Sequence, residues 1–384
     1  MLFIKDTICI FMQKMKRTQN TRLMNEILKG IRSILLVVIA MGISGLAYAQ
    51  SEGMTIEDIT RLKSVTGVEL SEDGNYIAYT VTDPADPLKQ NRSSEVHLYV
   101  YHHQTGEKTA YYTRGSVGDV SFRPGHETIT FTARPEGEQV NALYEIPIHG
   151  GGPRKVYQFE TSIGDYEWAS GGERLAFIAT RPSEDKSKAL PFNPGIYEEG
   201  QRNRKAYLVN IDGGEQLAQP LKVEGSVYTV RWSPDGQKLA VAEAPTPLVD
   251  DYYMKQDVKV LSAQSREVIS GDIEHEGKLD DIRWSPTGDR LALLAGNDIH
   301  DVIAGRLMVV SADGGEPENI HPDFKGKFEQ IQWTGPNTIH FIASESAQVG
   351  FGTISPDGSD FSYELEPGGP IYESFSFADN NHIA

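Results

Sequence analysis

The sequence predicts an all-β fold, a seven-bladed β-propeller with an incomplete seventh blade, and three observations support this prediction. A unit made of an aromatic or apolar anchor, a turn and an apolar strand occurs seven times in the 384 residues. A second strand pair around a tight turn follows six of these units. The anchors are spaced by 52, 46, 64, 52, 49 and 44 residues, near the period of about 40–50 expected of propeller blades.

The first half of each unit begins at an anchor and turns sharply into a strand. In the fourth unit, Pro234 presets the backbone angle of an early turn position, and Gly236 permits a positive φ near the end of the turn. The strand that follows, Leu239-Ala-Val-Ala242, is apolar, as a buried strand would be. The seven anchors are Leu70, Phe122, Trp168, Trp232, Trp284, Trp333 and Phe377.

All four tryptophans of the chain occupy the anchor position. A cluster of tryptophans could form a platform on which a ligand stacks. Their strict periodicity instead favours one aromatic wedge in the core between successive blades. We therefore expect the tryptophans to be structural.

The second half of each unit is predicted to be a hairpin. Asp212-Gly213 and Asp313-Gly314 lie between apolar runs, which is a strong hairpin signal. Six second halves against seven first halves leave the seventh blade without its partner strands, and half a blade would expose unpaired backbone groups. We expect the propeller to span residues 66–384 and to be truncated in blade seven.

Residues 1–49 have the pattern of a signal peptide. A basic segment precedes an apolar run that begins at Ile34, and Ala47-Tyr-Ala49 forms a small-residue cleavage site. The stretch before Met24 is long for such a signal, which makes Met24 a candidate for the true start. The 16 residues from Ile34 to Ala49 fall short of the ~20 that a spanning helix needs. We expect cleavage, no stable membrane span, and a periplasmic or secreted location.

A short N-terminal segment, residues 50–65, separates this signal from the repeats. It is predicted to contain a helix over residues 55–63. Thr55 can cap this helix, and Asp58 can close a capping box with it.

Charge and cysteine content exclude several classes of function. The net charge is −18, and residues 1–49 contribute +5, so the remainder is near −23. So acidic a chain is not expected to bind nucleic acid. The single cysteine, Cys9, lies within the signal region, which leaves no disulfide, thiolate metal site or cysteine nucleophile after it. Export without disulfides fits a bacterial envelope.

Three long insertions lengthen the blades, at residues 83–92, 181–204 and 244–254. Loops on a rigid scaffold often carry binding residues, so Glu198 and Glu199 are candidates for binding the amino group of a peptide substrate. The alternative is a solvated acidic loop, which is also our interpretation of Asp250-Asp251 and Asp280-Asp281.

The sequence contains no pattern from which a catalytic residue can be assigned. The Gly-x-Ser-x-Gly elbow of serine hydrolases is absent, as are phosphate loops and dinucleotide fingerprints. No calcium-loop or zinc pattern occurs either. We predict no catalytic residue, no metal site and no cofactor in residues 1–384.

Two stretches carry a family resemblance. Thr55-Ile-Glu-Asp-Ile-Thr-Arg-Leu-Lys63, followed by Val68-Glu-Leu-Ser-Glu-Asp-Gly-Asn-Tyr-Ile-Ala-Tyr-Thr-Val81, resembles the opening of exported enzymes of the prolyl oligopeptidase family. The acylaminoacyl peptidase and dipeptidyl peptidase branch is most similar. The order of the blades and the late stretch Gly368-Gly-Pro-Ile-Tyr-Glu-Ser-Phe-Ser-Phe377 agree with it. The resemblance covers about residues 54–384.

The resemblance implies a function for the chain. In that family a propeller caps an α/β-hydrolase domain with a Ser-Asp-His triad and restricts access to short or unfolded peptides. The chain is then expected to be the propeller part of an exported serine peptidase, meeting its peptide substrate together with a missing C-terminal hydrolase domain. No triad position lies within this sequence.

Two other functions remain open. One is an envelope protein-binding propeller similar to that of the Tol system, although only some 16 residues separate Gln50 from the first blade. The other is a propeller fused to an exported metal-dependent amidohydrolase.

Overall fold

The computed structural model describes residues 29–31, 53–89, 91–181, 197–198, 200–213, 216–378 and 383–384. The chain divides into two units, residues 1–59 and 60–384. Apart from the helical residues 29–31, the predicted signal peptide lies outside the described residues. No described helix is long and apolar enough to cross a membrane.

The first unit contains a short helix, α1 (Ile56–Ile59). The predicted capping box is present, because the Asp58 backbone N–H donates to Thr55 Oγ1 at 3.1 Å and the Thr55 N–H donates to Asp58 Oδ2 at 2.9 Å. The helix is shorter than the predicted span of residues 55–63. None of its side chains is buried, so no packing extends it.

The second unit consists of six antiparallel sheets, which are the blades of a β-propeller. The strands of blades one to three are β1 (Ser64–Leu70), β2 (Tyr76–Asp83), β3 (Glu95–His102), β4 (Lys108–Tyr112), β5 (Val117–Phe122), β6 (Thr128–Ala133), β7 (Ala142–Pro147), β8 (Arg154–Tyr157), β9 (Ile163–Trp168), β10 (Arg174–Thr180), β11 (Arg204–Asn210) and β12 (Gln219–Pro220). Each of these three sheets has four strands in sequence order.

Blade four has three strands, and blades five and six have four each. Their strands are β13 (Ser226–Trp232), β14 (Lys238–Ala244), β15 (Asp257–Ser262), β16 (Leu279–Trp284), β17 (Arg290–Ala295), β18 (Arg306–Ser311), β19 (Glu318–Asn319), β20 (Lys327–Gly335), β21 (Thr338–Glu345), β22 (Gln348–Ile354) and β23 (Ser362–Leu365). A second helix, α2 (Val249–Met254), lies in the connection between β14 and β15.

The prediction of seven blades is wrong, because the described residues form six. The seventh unit has only the eight residues from Phe377 onward, against 44 or more for each of the others. Its described residues make a bridge between Phe377 and Ile383 and belong to none of the sheets. The count of anchors therefore overstated the number of blades by one.

The segment before Phe377 nevertheless takes a place in the ring, between blade six and blade one. The side chain of Gln330 on β20 donates to the Phe375 carbonyl at 2.8 Å and accepts from the Phe375 N–H at 3.0 Å. On the other side, the Leu70 N–H of β1 donates to Ser376 Oγ at 3.0 Å in a buried contact. Phe375 packs on Ile342 and Phe351 of blade six. One extended segment thus joins the first and last sheets.

The four tryptophans pack in the core between blades, as the sequence predicts. They are 5–8% exposed, and each belongs to a different core cluster. The indole N–H of Trp232 donates to the Glu167 carbonyl at 3.1 Å, and that of Trp284 donates to the Arg231 carbonyl at 3.0 Å. Each of these two rings is therefore hydrogen-bonded to the inner strand of the preceding blade.

An arginine reaches from one blade over the tryptophan of the next. The guanidinium of Arg174 lies 4.8 Å from the ring centre of Trp232, and its Nη2 donates to the Gly236 carbonyl at 2.6 Å. Arg290 makes the corresponding contacts with Trp333 and the Pro336 carbonyl. These contacts combine a cation–π interaction with a charged hydrogen bond across the blade boundary.

The three predicted insertions fall between the second and third strands of blades one, three and four. The described residues of these connections are 84–89, 91–94, 181, 197–198, 200–203 and 245–256. In an antiparallel sheet that connection is at the end where the innermost strand begins. We call this end the long-loop face.

The two hydrogen bonds between the Gln330 side chain and the Phe375 backbone should contribute measurably to stability. We expect Gln330→Ala to lower the free energy of unfolding by roughly 1–3 kcal/mol, because it leaves two backbone groups without their partner. Urea unfolding monitored by tryptophan fluorescence measures this change. Gln332→Ala, on the same strand, is the matched control, and an equal loss in both variants would contradict this account.

The arginine contact between blades three and four gives a second prediction. We expect Arg174→Ala to cost about 1–2 kcal/mol of unfolding free energy, since a cation–π contact and a charged hydrogen bond are lost together. Lys238→Ala removes the basic residue at the equivalent position of blade four and should cost less. Equal denaturation midpoints for Arg174→Ala and the parent chain would show that the contact is not stabilising.

Candidate functional site

The innermost strands of the blades enclose a central channel of about 610 Å³. Its wall includes residues of β1, β5, β9, β13, β16 and β20, together with Ser374 and Phe375 of the joining segment. Among the described residues, the charged side chains that line it are Glu69, Asp119, Asp165, Glu167, Arg231 and Arg283. The other described residues that line the channel are uncharged.

Strand alternation explains why these charged residues meet in the channel. Side chains along a strand point alternately to its two faces. Because each anchor is committed to the core between blades, the residue directly before it lies on the opposite face, and in a regular strand so does the residue three positions before it. Glu69, Glu167, Arg231 and Arg283 directly precede their anchors, and Asp119, Asp165 and Asp281 lie three positions before theirs.

Each innermost strand is also irregular near these positions. In all six blades the pairing of the innermost strand with its neighbour shifts register. Such bulges bend a strand and redirect a side chain, and they are common at barrel rims and binding sites. In β5 the irregularity includes Asp119, a non-glycine residue with a φ of 40°.

Arg231 links three blades on one side of the channel. Its Nη1 lies 2.9 Å from Asp165 of blade three, and its Nη2 lies 3.5 Å from Asp281 of blade five. Arg283 Nε donates to the same Asp281 at 2.6 Å. Burial acts to lower the pKa of Arg231, but Asp165, Asp281 and Glu167 outweigh it and raise that pKa. Arg231 is thus engaged by Asp165 and Asp281, and Arg283 by Asp281.

The other three carboxyls have no such partner. Within the described part of the chain, no basic side chain lies within ion-pair distance of Glu69, Asp119 or Glu167. Glu167 accepts only a backbone hydrogen bond, from the Trp232 N–H at 2.9 Å. The channel therefore has a balanced side, at blades three to five, and an acidic side, at blades one to three.

The pKa values of these carboxyls reflect this imbalance. Enclosure by the ring raises the pKa of Glu69 to about 7, although Arg283 opposes the shift. Burial likewise raises the pKa of Glu167 to about 7, against the opposing effects of Arg231 and the Trp232 N–H. For Asp119, burial and then repulsion from Asp165 raise the pKa to about 6. The side chains of Glu69 and Asp119 still have solvent access through the channel.

The sequence predicts that Asp250-Asp251 and Asp280-Asp281 are solvated loop residues. This prediction is wrong for Asp251 and for Asp281. Asp281 is half-buried and pairs with Arg231 and Arg283. Asp251 is buried, accepts from Thr246 Oγ1 at 2.5 Å and pairs with Lys255 at 2.8 Å. A buried carboxylate that accepts such bonds is structural. Neither is a freely solvated charge.

The sequence itself carries a signal for the channel. Charged residues recur one and three positions before the anchors. Anchor periodicity combined with strand alternation indicates that they share one site, whereas loop length indicates Glu198 and Glu199.

Glu198, one of the two predicted substrate-binding residues, is not part of the channel lining. Glu198 is half-buried, has a φ of 57° and raises the pKa of the neighbouring Tyr197 hydroxyl by its charge. Glu199 lies outside the described residues. Substrate binding by this pair remains a prediction.

Two curated proteins are similar to part of the chain. Eukaryotic translation initiation factor 2A of Caenorhabditis elegans is 27% identical over 177 residues, 44% of this chain and 28% of that protein. "Probable dipeptidyl peptidase 4" of Emericella nidulans is 26% identical over 233 residues, 56% of this chain and 27% of that protein. The chain thus covers less than a third of the length of either relative. No family model matches it.

Solved structures share the propeller. The uncomplexed acylaminoacyl peptidase of Pyrococcus horikoshii has a TM-score of 0.58 at 13% identity, over 84% of this chain and 49% of that chain. The β-propeller domain of the trilobed protease of Pyrococcus furiosus has a TM-score of 0.53 at 13% identity, over 83% and 87%. A TolB structure from Agrobacterium tumefaciens reaches a TM-score of only 0.46, which supports no argument.

These comparisons confirm the resemblance found in the sequence. The structural neighbours include the propeller domains of acylaminoacyl peptidase and trilobed protease, and a dipeptidyl peptidase 4 matches in sequence. At 13% identity the structural likeness establishes the β-propeller fold, and a fold by itself does not determine function.

Proposed function

We propose that the chain is the substrate-gating propeller of an exported serine peptidase that cleaves short peptides. The observation that carries this proposal is the central channel, framed by the innermost strands of all six blades. The likeness to peptidase propellers supports it.

The size of the channel suits a gate. At about 610 Å³ it lies within the range of about 300–1,000 Å³ typical of small-molecule sites. An extended peptide segment fits such a space, whereas a folded domain is far wider. In the proposal, the ring admits short or unfolded peptides and excludes folded proteins.

The lining of the channel also suits a peptide. Hydroxyl side chains, such as those of Thr66, Ser121 and Ser374, also line the channel. These groups can donate to and accept from peptide amides. Since such contacts are not specific for side chains, the channel can accept varied sequences.

The long-loop face supports a second domain beside the ring. Several large apolar side chains are more than a third exposed there: Leu62, Val65, Leu88, Tyr197, Val249, Tyr252, Tyr253, Ile299 and Val302. Apolar groups clustered at one end of a domain are typical of an interaction surface. In the proposal, this face packs against an α/β-hydrolase domain that supplies the Ser-Asp-His triad.

Export belongs to the proposal as well. The segment over residues 1–49 would direct the chain out of the cytoplasm, and Glu198 with Glu199 would bind the amino group of a peptide. These two features derive from the sequence pattern.

The gene and its product test the proposed function together. We expect the reading frame past Ala384 to encode Gly-x-Ser-x-Gly followed by an aspartate and a histidine, and the whole protein to hydrolyse short peptide anilides. A folded protein carrying the same peptide sequence should remain intact. A product without a hydrolase domain and without peptide hydrolysis would overturn the proposal.

Narrowing the channel tests gating directly. We expect Ser121→Trp to lower kcat/KM for a pentapeptide substrate by about tenfold or more in the whole protein, because the indole occupies the passage. Ser265→Trp, at an exposed turn, is the matched control. Labelling of the active serine by a small fluorophosphonate should be unchanged in both variants, and an unchanged kcat/KM for Ser121→Trp would contradict gating by the channel.

The acidic side of the channel should reduce stability at alkaline pH. The pKa of Glu69 is raised to about 7 in the folded chain, above its usual value, so its ionised form disfavours folding. This penalty is complete above pH 7 and disappears as the pH falls toward 4. We therefore expect Glu69→Gln to raise the melting temperature at pH 8 and not at pH 4.

Thermal unfolding at the two pH values measures this difference. Glu136→Gln removes an exposed carboxyl outside the channel and should show no such pH dependence. A lower melting temperature for Glu69→Gln at pH 8 would contradict the assignment of an unbalanced charge.

A further inference from the structure

A second cavity opens at the end of the ring opposite the long-loop face. The turns between the first and second strands of the blades lie at that end, because these strands are antiparallel. The cavity measures about 780 Å³, which is larger than the channel, and lies between the β1–β2 turn of blade one and the β5–β6 turn of blade two. We call it the turn cleft.

The sequence explains why a cavity lies at this boundary. Tryptophan is the anchor of blades three to six, and the three smaller anchors, Leu70, Phe122 and Phe377, all line the turn cleft. Phe122 and Phe377 are partly exposed, whereas every tryptophan is buried. The space that indole rings fill at the other boundaries is thus left open here, with an apolar floor.

The arginine that bridges other blade boundaries is also replaced. Arg174 and Arg290, six positions after their anchors, each donate to a turn carbonyl of the following blade. In blade one the equivalent residue is Tyr76. Its hydroxyl lies 3.3 Å from His149 Nδ1, and its ring packs edge-on against His102 with 4.6 Å between the ring centres. Tyr76 therefore forms an aromatic wall of the cleft instead of a bridge across it.

The charged groups of the turn cleft favour a neutral ligand. Arg123, the arginine in its lining, is buried and pairs with Glu145 and Asp212, so it is not available to bind an anion. Asp73 accepts from Ser71 Oγ at 2.6 Å and from a backbone N–H at 3.0 Å. Among the described residues, no group of His, Cys, Asp or Glu side chains could hold a metal ion. An apolar floor with a few polar groups around it is the usual composition of a site for an organic ligand.

We propose that the turn cleft binds an aromatic side chain of an extended peptide. The ring lies against Phe122 and Phe377 and meets Tyr76 in the offset or edge-on arrangement that aromatic pairs prefer. Polar side chains of the lining, such as Gln104 and Ser170, bond to the peptide backbone beside it. This inference rests on the proposed function only in taking the aromatic group to belong to a peptide.

The position of the cleft beside the channel is the reason for taking the ligand to be a peptide. Glu69 and Ser121 line both cavities. A peptide whose aromatic side chain lies in the cleft can therefore extend its next residues into the channel. Gating by size selects peptides by their width, and a buried aromatic anchor adds selection by side chain.

Fluorine NMR on the 384-residue chain tests the proposal. The probe is N-acetyl-Gly-Trp-Gly amide carrying a fluorinated indole, and the unlabelled peptide competes with N-acetyl-Gly-Ala-Gly amide for its displacement. We expect the tryptophan peptide to bind at least about tenfold more tightly than the alanine peptide, because the ring supplies the contacts with the cleft. Equal competition by the two peptides, or no binding of the probe, overturns the proposal.

Two substitutions locate the bound ring. Tyr76→Arg places in blade one the residue found at the equivalent position of blades three and five, and should weaken probe binding by at least about tenfold. Tyr252→Arg, the matched change at an exposed tyrosine of the long-loop face, should alter binding by less than about twofold. If Tyr76→Arg does not fold, His149→Ala, at an exposed position of the cleft, should still weaken binding by several-fold. Unchanged binding in the cleft variants, or an equal loss in Tyr252→Arg, contradicts a site in the cleft.

The outcomes separate this inference from the proposed function. Peptide hydrolysis by the whole protein, together with equal competition by the two peptides, would support the peptidase and overturn the aromatic site. Tryptophan-dependent binding that Tyr76→Arg abolishes, without any peptide hydrolysis, would support the aromatic site and overturn the peptidase.

Discussion

The packing of one aromatic or apolar anchor per blade into the core between neighbouring sheets is the constraint on which the rest of this structure depends. Trp232 illustrates it: the ring is buried, its N–H reaches the preceding blade, and Arg174 covers it. Once the anchor is fixed, strand alternation fixes the direction of its neighbours. Glu167 and Arg231 directly precede anchors and therefore line the channel. The core thus determines the composition of the site.

Most of the fold could be predicted from the sequence, because the repeats encode it locally. Proline, glycine and alternating apolar residues specify each strand and turn, and the tryptophans have the structural role that their spacing indicates. The number of blades was overestimated, because an anchor such as Phe377 marks the start of a strand and cannot show whether partner strands complete a sheet. Ring closure through Gln330 and Ser376 joins residues far apart in the chain, which no local pattern reveals.

The site was less predictable than the fold for a physical reason. A charge such as Asp281 has the same local sequence whether it is solvated or paired across a blade boundary, and only the closed ring brings Arg231 to it. Raised pKa values require the same long-range information, since they come from enclosure by six blades. Unbalanced carboxyls oppose folding, and proteins commonly retain such groups where function requires them.

The central claim is that Glu69 and Glu167 face the channel as unpaired carboxyls. Their ionisation can be measured directly by carbon-13 NMR of the side-chain carboxyls in a pH titration of the chain, with Glu69→Gln and Glu167→Gln for assignment. The account predicts that both carboxyls titrate near pH 7, because the ring of blades disfavours their ionised forms. Titration of both near pH 4.5 would contradict it.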